Sequence, residues 1–315
     1  MVATETTLLS TSQSVPSIRK DEEGVAAPFD LRNPEAYADW RRQKLKNFPV
    51  SPENLVVPVA DCGVPSAEEK QSILDRCHKF NVAIYVTGPE ATKEDALALA
   101  QHFGLVRFDQ PLCTGEDGIT EISVAGSGRR QAYIPYTDKP LSWHTDGYYN
   151  PSSRQVRGLL LHCRRDADEG GVSKMIDPEI IYIRLRDENP DFISALMQED
   201  VLTIPENIEN GVKVRDTQTG PVFSIIGGYL HMRFTDRKRH ILWKDDARVL
   251  AARDVLKSII QDPGEAKIIW RLTAGQGLIC NNILHRRSGF SDHSGDDNGR
   301  IIYRARFMDR VSDSK

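Results

Sequence analysis

Long apolar runs are missing from this 315-residue chain. Stretches such as Leu159–Leu161 cover only a handful of residues, whereas a membrane-crossing helix needs about 20. No membrane partner is therefore expected. An excess of positive charge is missing too. Lys and Arg number 41 against 45 Asp and Glu, a net charge of −4. Nothing in that balance predicts nucleic acid, whose binding rests on neutralising phosphates. The clusters Arg41-Arg42-Gln43-Lys44 and Arg237-Lys238-Arg239 read as solvated surface. Cysteine is sparse: Cys62, Cys77, Cys113, Cys163 and Cys280 are scattered, with no CxxC pair. That argues against a disulfide framework or a structural zinc site, and free thiols suit a reducing, cytoplasmic compartment. There is no internal repeat to suggest a solenoid. The GxSxG elbow of Ser-His-Asp hydrolases is absent. The first residues lack the charged-then-apolar order of a secretory leader, and residues 1–25 read as a flexible Ser/Thr-rich arm.

What is present describes a folded domain. Hydrophobic residues make up 39% and charged residues 27%, enough to bury a core. Asn33–Phe48 predicts a helix, with Asn33 as cap and Pro34 in the first turn. Ser66–Phe80 opens on a capping box, and Thr92–Phe103 is a third helix. Val82–Thr87 lies between them as a strand, and Leu55–Ala60 precedes. From about residue 105, short apolar runs alternate with Gly, Pro, Asn and Asp. Strands are expected at Leu105–Phe108, Glu121–Val124, Gln131–Ile134, Gly158–Cys163, Val172–Ile176, Val201–Ile204, Val222–Ile226, Tyr229–Phe234, Lys267–Leu272, Gly277–Cys280 and Ile301–Met308. Helices interrupt them near Pro178–Arg186, Pro190–Gln198 and Asp245–Ile260. The expected class is mixed α/β and β-rich: a double-stranded β-helix (jelly roll) with flanking helices. Residues 26–315 read as a single domain with a helical N-terminal flank.

The chemistry concentrates in Leu141-Ser-Trp-His144-Thr-Asp146-Gly. Residues i and i+2 of a strand share a face, so His144 and Asp146 present an imidazole and a carboxylate to one point. His285, after the apolar run Gly277–Cys280, is the best third ligand. Two imidazoles and a carboxylate on one octahedral face suit Fe(II) oxygenases, which need open positions for cosubstrate and O₂. Downstream, Arg300, Ile302, Arg304 and Arg306 alternate onto one strand face. Three arginines on one face are hard to bury without anionic partners. A 2-oxoglutarate cosubstrate would give one of them a carboxylate for bidentate pairing.

The chain resembles the Fe(II)/2-oxoglutarate-dependent dioxygenases of the taurine dioxygenase and γ-butyrobetaine hydroxylase superfamily. The resemblance lies in Pro140-Leu-Ser-Trp-His-Thr-Asp-Gly, Gly158-Leu-Leu-Leu-His-Cys, Glu169-Gly-Gly-Val-Ser-Lys-Met-Ile-Asp and Arg300-Ile-Ile-Tyr-Arg-Ala. It implies that His144, Asp146 and His285 ligate iron. It also implies that Arg300 and Ser173 bind the distal carboxylate of 2-oxoglutarate, and that Arg304 contacts substrate. With O₂, such an enzyme oxidises a substrate C–H bond and releases succinate and CO₂. Tyr136, Trp143 and Tyr148 crowd the triad and are further substrate-binding candidates, whether as aromatic walls or as packing. The expected substrate is a small amino acid, betaine or aminosulfonate with an anionic end. A jelly-roll zinc hydrolase and a non-catalytic ligand-binding domain are the other classes weighed. Arg304 could instead pair internally, with Asp177 or Asp309. A homo-oligomer is left open.

Overall fold

Caps start the flanking helices where the sequence places them. In the computed structural model, which describes residues 27–46, 48–111, 114–115, 117–237, 241–292 and 299–312, the Asn33 side chain accepts from the Ala36 N–H at 3.0 Å. It opens helix Pro34–Leu45. Ser66 and Glu69 close both bonds of a capping box before helix Ala67–Phe80. Thr92 and Asp95 do the same for Lys93–Gln101. The arm at 1–25, Cys113 and the pair Lys238-Arg239 lie outside the described residues.

Two sheets face one another. The larger runs Val56–Pro58, Val82–Val86, Gln276–Cys280, Gly158–Arg165, Ile301–Phe307, Ile119–Ile122 in spatial order. Only its first pair is parallel. The smaller is antiparallel: Lys267–Trp270, Ser173–Ile176, Leu284–Arg287, Leu141–His144. They pack without closing into a barrel, giving a β-rich jelly roll with flanking helices.

Strand alternation sorts side chains between the layers. Val82, Ile84, Leu278, Cys280 and Ile302 of the larger sheet meet Met175 and Ile268 of the smaller in one core. Ala83, Tyr85, Ile279, Ala305 and Phe307 turn outward against helices Ala67–Phe80 and Lys93–Gln101. Helices Pro178–Glu188, Pro190–Leu196 and Ala247–Gln261 cover the smaller sheet from outside and bury Ile176 and Leu284. Each buried aliphatic side chain contributes roughly 1.5–3 kcal/mol. The even-numbered residues of Ile301–Phe307 thus face the space between the sheets, which is where the candidate site lies.

Two expected strands are not strands. Leu105–Phe108 makes a single bridge, Phe108 to Phe307. Gln131–Ile134 forms short 3-10 turns at Arg129–Ala132 and Ile134–Tyr136, because Pro135 has no N–H for a ladder. A hairpin not foreseen, Asn207–Glu209 with Val212–Arg215, turns on Asn210-Gly211, both at positive φ. Among the described residues, no helix is long and apolar enough to cross a membrane.

Candidate active site

His144 ends strand Leu141–His144, and His285 lies opposite it in register on Leu284–Arg287. Their ring centroids are 4.3 Å apart. Each Nδ1 lies against the carbonyl two residues earlier, Ser142 at 2.9 Å and Ile283 at 2.8 Å. A carbonyl only accepts, so each Nδ1 donates, which leaves each Nε2 as the nitrogen that faces the triad. Burial and the neighbouring His144 push His285 down to about 4, so it is neutral near pH 7.

Asp146 arrives differently from the expectation. The strand stops at His144, and Asp146 reaches in from the following turn. Two anchors hold that turn. Thr145 exchanges bonds with Phe234, its N–H donating to the carbonyl at 2.9 Å and its Oγ1 accepting at 3.1 Å. Asn282 accepts from the Asp146 N–H at 2.8 Å and donates to its carbonyl at 2.9 Å. Asp146 Oδ1 then lies 3.4 Å from His144 Nε2. Burial works to raise this carboxyl, but Arg304, the His144 contact and Arg306 outweigh it and hold it well below the usual carboxylate range. Its Oδ2 is buried without a hydrogen bond. One donor atom from each of His144, Asp146 and His285 lies within 4.8 Å of the others. Two imidazoles and a carboxylate that keeps an unsatisfied oxygen fit a single divalent iron.

The three strand arginines find three different environments. Arg306 pairs with the buried Asp109 and donates to Tyr149 Oη at 2.8 Å. Arg304 Nη1 stands 3.5 Å from Asp146 Oδ2, an ion pair without hydrogen-bond geometry. The two acids weighed as its structural partners are engaged elsewhere: Asp177 with Lys44, Asp309 with Arg107. Arg300 is buried, and no carboxylate among the described residues pairs with its guanidinium. A Cβ on Gly171 would lie 3.4 Å from Arg300 Nε, so the guanidinium passes directly over the glycine turn that precedes Ser173. Gly170 admits no side chain either: its φ is +76°, and a Cβ would sit 2.3 Å from the Gly289 carbonyl.

Sequence reasoning missed Arg287. It lies two residues after His285, hence on the same inner face, and opposite Ser173 in register. Its Nη2 donates to the carbonyls of Thr137 and Lys139, while Nε and Nη1 are buried without partners. Burial and the Arg300 charge push it down to about 10. Arg287 and Arg300 both lie over the Phe290 ring, at 4.6 and 5.1 Å. Two buried cations beside a serine, with no carboxylate among the described residues ion-paired to either guanidinium, fit a carboxylate ligand of the 2-oxoglutarate type. The sequence signal was available: alternation from His285 selects Arg287.

The aromatic candidates separate. Trp143 points to the opposite face of its strand and packs in the helical core, with Arg286 over its ring at 5.3 Å. It is not brought to the triad, because its neighbour His144 takes the inner face. Tyr136 is buried in the inter-sheet core with Met175, the register partner of His285. Tyr148 stacks edge-on against Tyr149 at 5.1 Å and is partly buried beside the triad turn.

The model of the family described as taurine catabolism dioxygenase TauD, TfdA family matches residues 44–306. The chain is similar to a uridine-5'-phosphate dioxygenase of Streptomyces sp, with 27% identity over 62% of this chain and 72% of that protein. A protein of the same name from Amycolatopsis sp is 29% identical over 48% of this chain and 55% of its own length, so that match spans about half of the relative. The fold is similar to that of an asparagine oxygenase in complex with Fe(II), hydroxyasparagine and succinate: TM-score 0.54, 13% identity, 79% of this chain and 80% of that one. It is also similar to the non-heme iron oxygenase OrfP in complex with Fe: TM-score 0.56, 15% identity, 76% and 80% covered. Matched over most of its length, the chain belongs to the TauD, TfdA family and is an Fe(II)- and 2-oxoglutarate-dependent dioxygenase.

Proposed function

We propose that this enzyme hydroxylates a C–H bond of a small substrate carrying an anionic group. His144, Asp146 and His285 would hold the iron, and Arg300 and Ser173, joined by Arg287, would hold the distal carboxylate of 2-oxoglutarate. The observation that carries this reading is the juxtaposition of the three donor atoms with a buried arginine pair to which no carboxylate among the described residues is ion-paired. When bound, iron and 2-oxoglutarate supply the oxidising power, with succinate and CO₂ as co-products.

The chain's own residues do the positioning. The backbone carbonyls of Ser142 and Ile283 hold both imidazoles in the metal-binding tautomer. Arg304 keeps Asp146 ionised and limits where its second oxygen can turn. Because Asp146 fills the third protein position, a halide has no place there, which favours hydroxylation over halogenation. A zinc hydrolase would leave Arg287 and Arg300 without a use.

An anionic substrate is supported by the cationic lining and by the names of the two relatives, which act on a nucleotide phosphate. Amino acids, betaines and aminosulfonates belong in the same panel. The buried free thiols Cys62, Cys77, Cys163 and Cys280 support a cytoplasmic setting. Residues 26–315 are proposed to act as one catalytic domain on a small molecule.

Succinate release, measured with uridine 5′-phosphate, taurine and amino acids as separate additions, tests the function. The expected result is substrate-stimulated turnover in the parent and none in His144→Ala, which also loses its single equivalent of Fe(II). Full activity in His144→Ala overturns the ligand assignment.

A further inference from the structure

The hairpin Asn207–Glu209/Val212–Arg215 carries one cation that its neighbours leave unspent. On the same hairpin, Lys213 pairs with Asp216 at 2.6 Å. Glu209 is taken by Arg129 at 2.9 Å and by Tyr133. Arg215 has no carboxylate partner among the described residues. Its Nη2 donates to the Pro205 carbonyl at 2.7 Å, and its Nη1 is buried with nothing to bond. A register shift between Lys213 and Arg215 re-aims the side chain, as bulges do.

It is aimed toward the catalytic turn. The Arg215 guanidinium lies 5.3 Å from the centroid of Tyr149. Tyr149 Oη also accepts from Arg306 Nη1, so its own O–H proton is free to donate elsewhere. Arg306 stands two residues from Arg304, which contacts Asp146. Burial lowers the Arg215 guanidinium, and the groups working the other way are the phenols of Tyr148, Tyr149 and Tyr133. A buried guanidinium nitrogen among phenols, with no acid paired to it among the described residues, is costly unless an external anion completes it.

We infer that Arg215, with the Tyr149 hydroxyl, binds a phosphate monoester on the substrate, and that Arg304 serves Asp146 instead. This deepens the function proposed above and rests on it. A phosphate suits the site because its three terminal oxygens can accept from a guanidinium and a phenol together. Arg304 is disfavoured as the anchor because its partner is already a ligand carboxylate. Arg215 would act as a specificity residue: it sets which anionic molecule enters, and through the hairpin it sets how far from the triad the phosphate stops.

Calorimetric titration of the full chain with uridine 5′-phosphate and with uridine, under anaerobic conditions with Fe(II) and 2-oxoglutarate, tests this. The parent is expected to prefer the phosphate ester by about tenfold or more, as loss of a charged hydrogen-bond partner implies. The preference should collapse in Arg215→Met, return in part in Arg215→Lys, and persist in Lys213→Met, a control on overall charge. The 2-oxoglutarate affinity should stay constant throughout. A preference that survives in Arg215→Met, disappears equally in Lys213→Met, or is absent from the parent overturns the assignment. So does a parallel loss of 2-oxoglutarate affinity, which makes Arg215 structural. Failure of the parent to bind 2-oxoglutarate counts against the function above and leaves the phosphate-to-uridine comparison, repeated without cosubstrate, to decide Arg215.

Discussion

Asn282 grips the peptide of Asp146 at both ends, accepting from its N–H and donating to its carbonyl. Its amide also donates to the Val156 carbonyl at 2.6 Å. The carboxylate that completes the triad is therefore placed by a residue three positions before His285, and both ends of the triad are fixed by one short segment.

Replacing Asn282 by Ala should loosen Asp146 without removing a ligand. The expected effect is about 10- to 100-fold weaker Fe(II) binding, typical of losing an outer partner of a metal ligand, and roughly 1–3 kcal/mol of stability from the orphaned Asp146 peptide. Anaerobic metal titration alongside chemical denaturation separates the two. Lost stability with unchanged iron affinity would confine Asn282 to folding.

Arg300→Ala should weaken 2-oxoglutarate by about 2–5 kcal/mol, roughly 30- to 4,000-fold. Arg287→Lys keeps charge but loses the fork and is expected to cost about tenfold. The metal-to-ligand absorbance of the anaerobic complex reports both. Unchanged affinity in Arg300→Ala would transfer the anchor to Arg287.

His231 gives a pH signature away from the triad. Burial, with Arg157, Arg310 and Arg233 adding to it, pushes its imidazole down to about 3. An unfolded histidine takes its proton near pH 6.5. Between those values the unfolded chain binds the extra proton, so stability falls as pH drops through that window, by at most about 1.4 kcal/mol per pH unit. In His231→Gln this component vanishes. Relative to its own value at pH 7, the parent's denaturation midpoint should fall further than the variant's as pH is lowered toward 4. Parallel pH profiles would refute the assignment of a neutral His231 in the fold.

The sequence made the scaffold legible wherever a local signal coincided with the fold. Asn33, Ser66 and Thr92 cap helices because their side-chain oxygens satisfy N–H groups the helix cannot. Alternation put Arg300, Arg304 and Arg306 toward the interior, as found. The same rule, applied one residue before His144, already sends Trp143 to the other face. Asn210-Gly211 spells a hairpin turn, and overlooking it hid Arg215. Other features were beyond local reading. That Arg306 finds Asp109 and Arg304 finds Asp146 depends on how two sheets stack. That Asp146 comes from a turn depends on Asn282, far along the chain.

Asn281 stands beside Asn282 and belongs to a different set of bonds. It donates to Asn81, whose own amide donates to Asp177. Asp177 shares the buried Lys44 ammonium with Glu179, at 2.6 and 2.5 Å. Lys44 comes from the first helix, Pro34–Leu45. Adjacent asparagines thus couple the triad to the chain's N-terminal flank. Neutralising Lys44 strands two buried carboxylates, a loss on the order of 3–5 kcal/mol, at the foundation of the segment that aims both Asp146 and His285. Inactivating changes should therefore arise in a helix that touches neither iron nor substrate, and they would register as lowered abundance before they registered as altered kinetics.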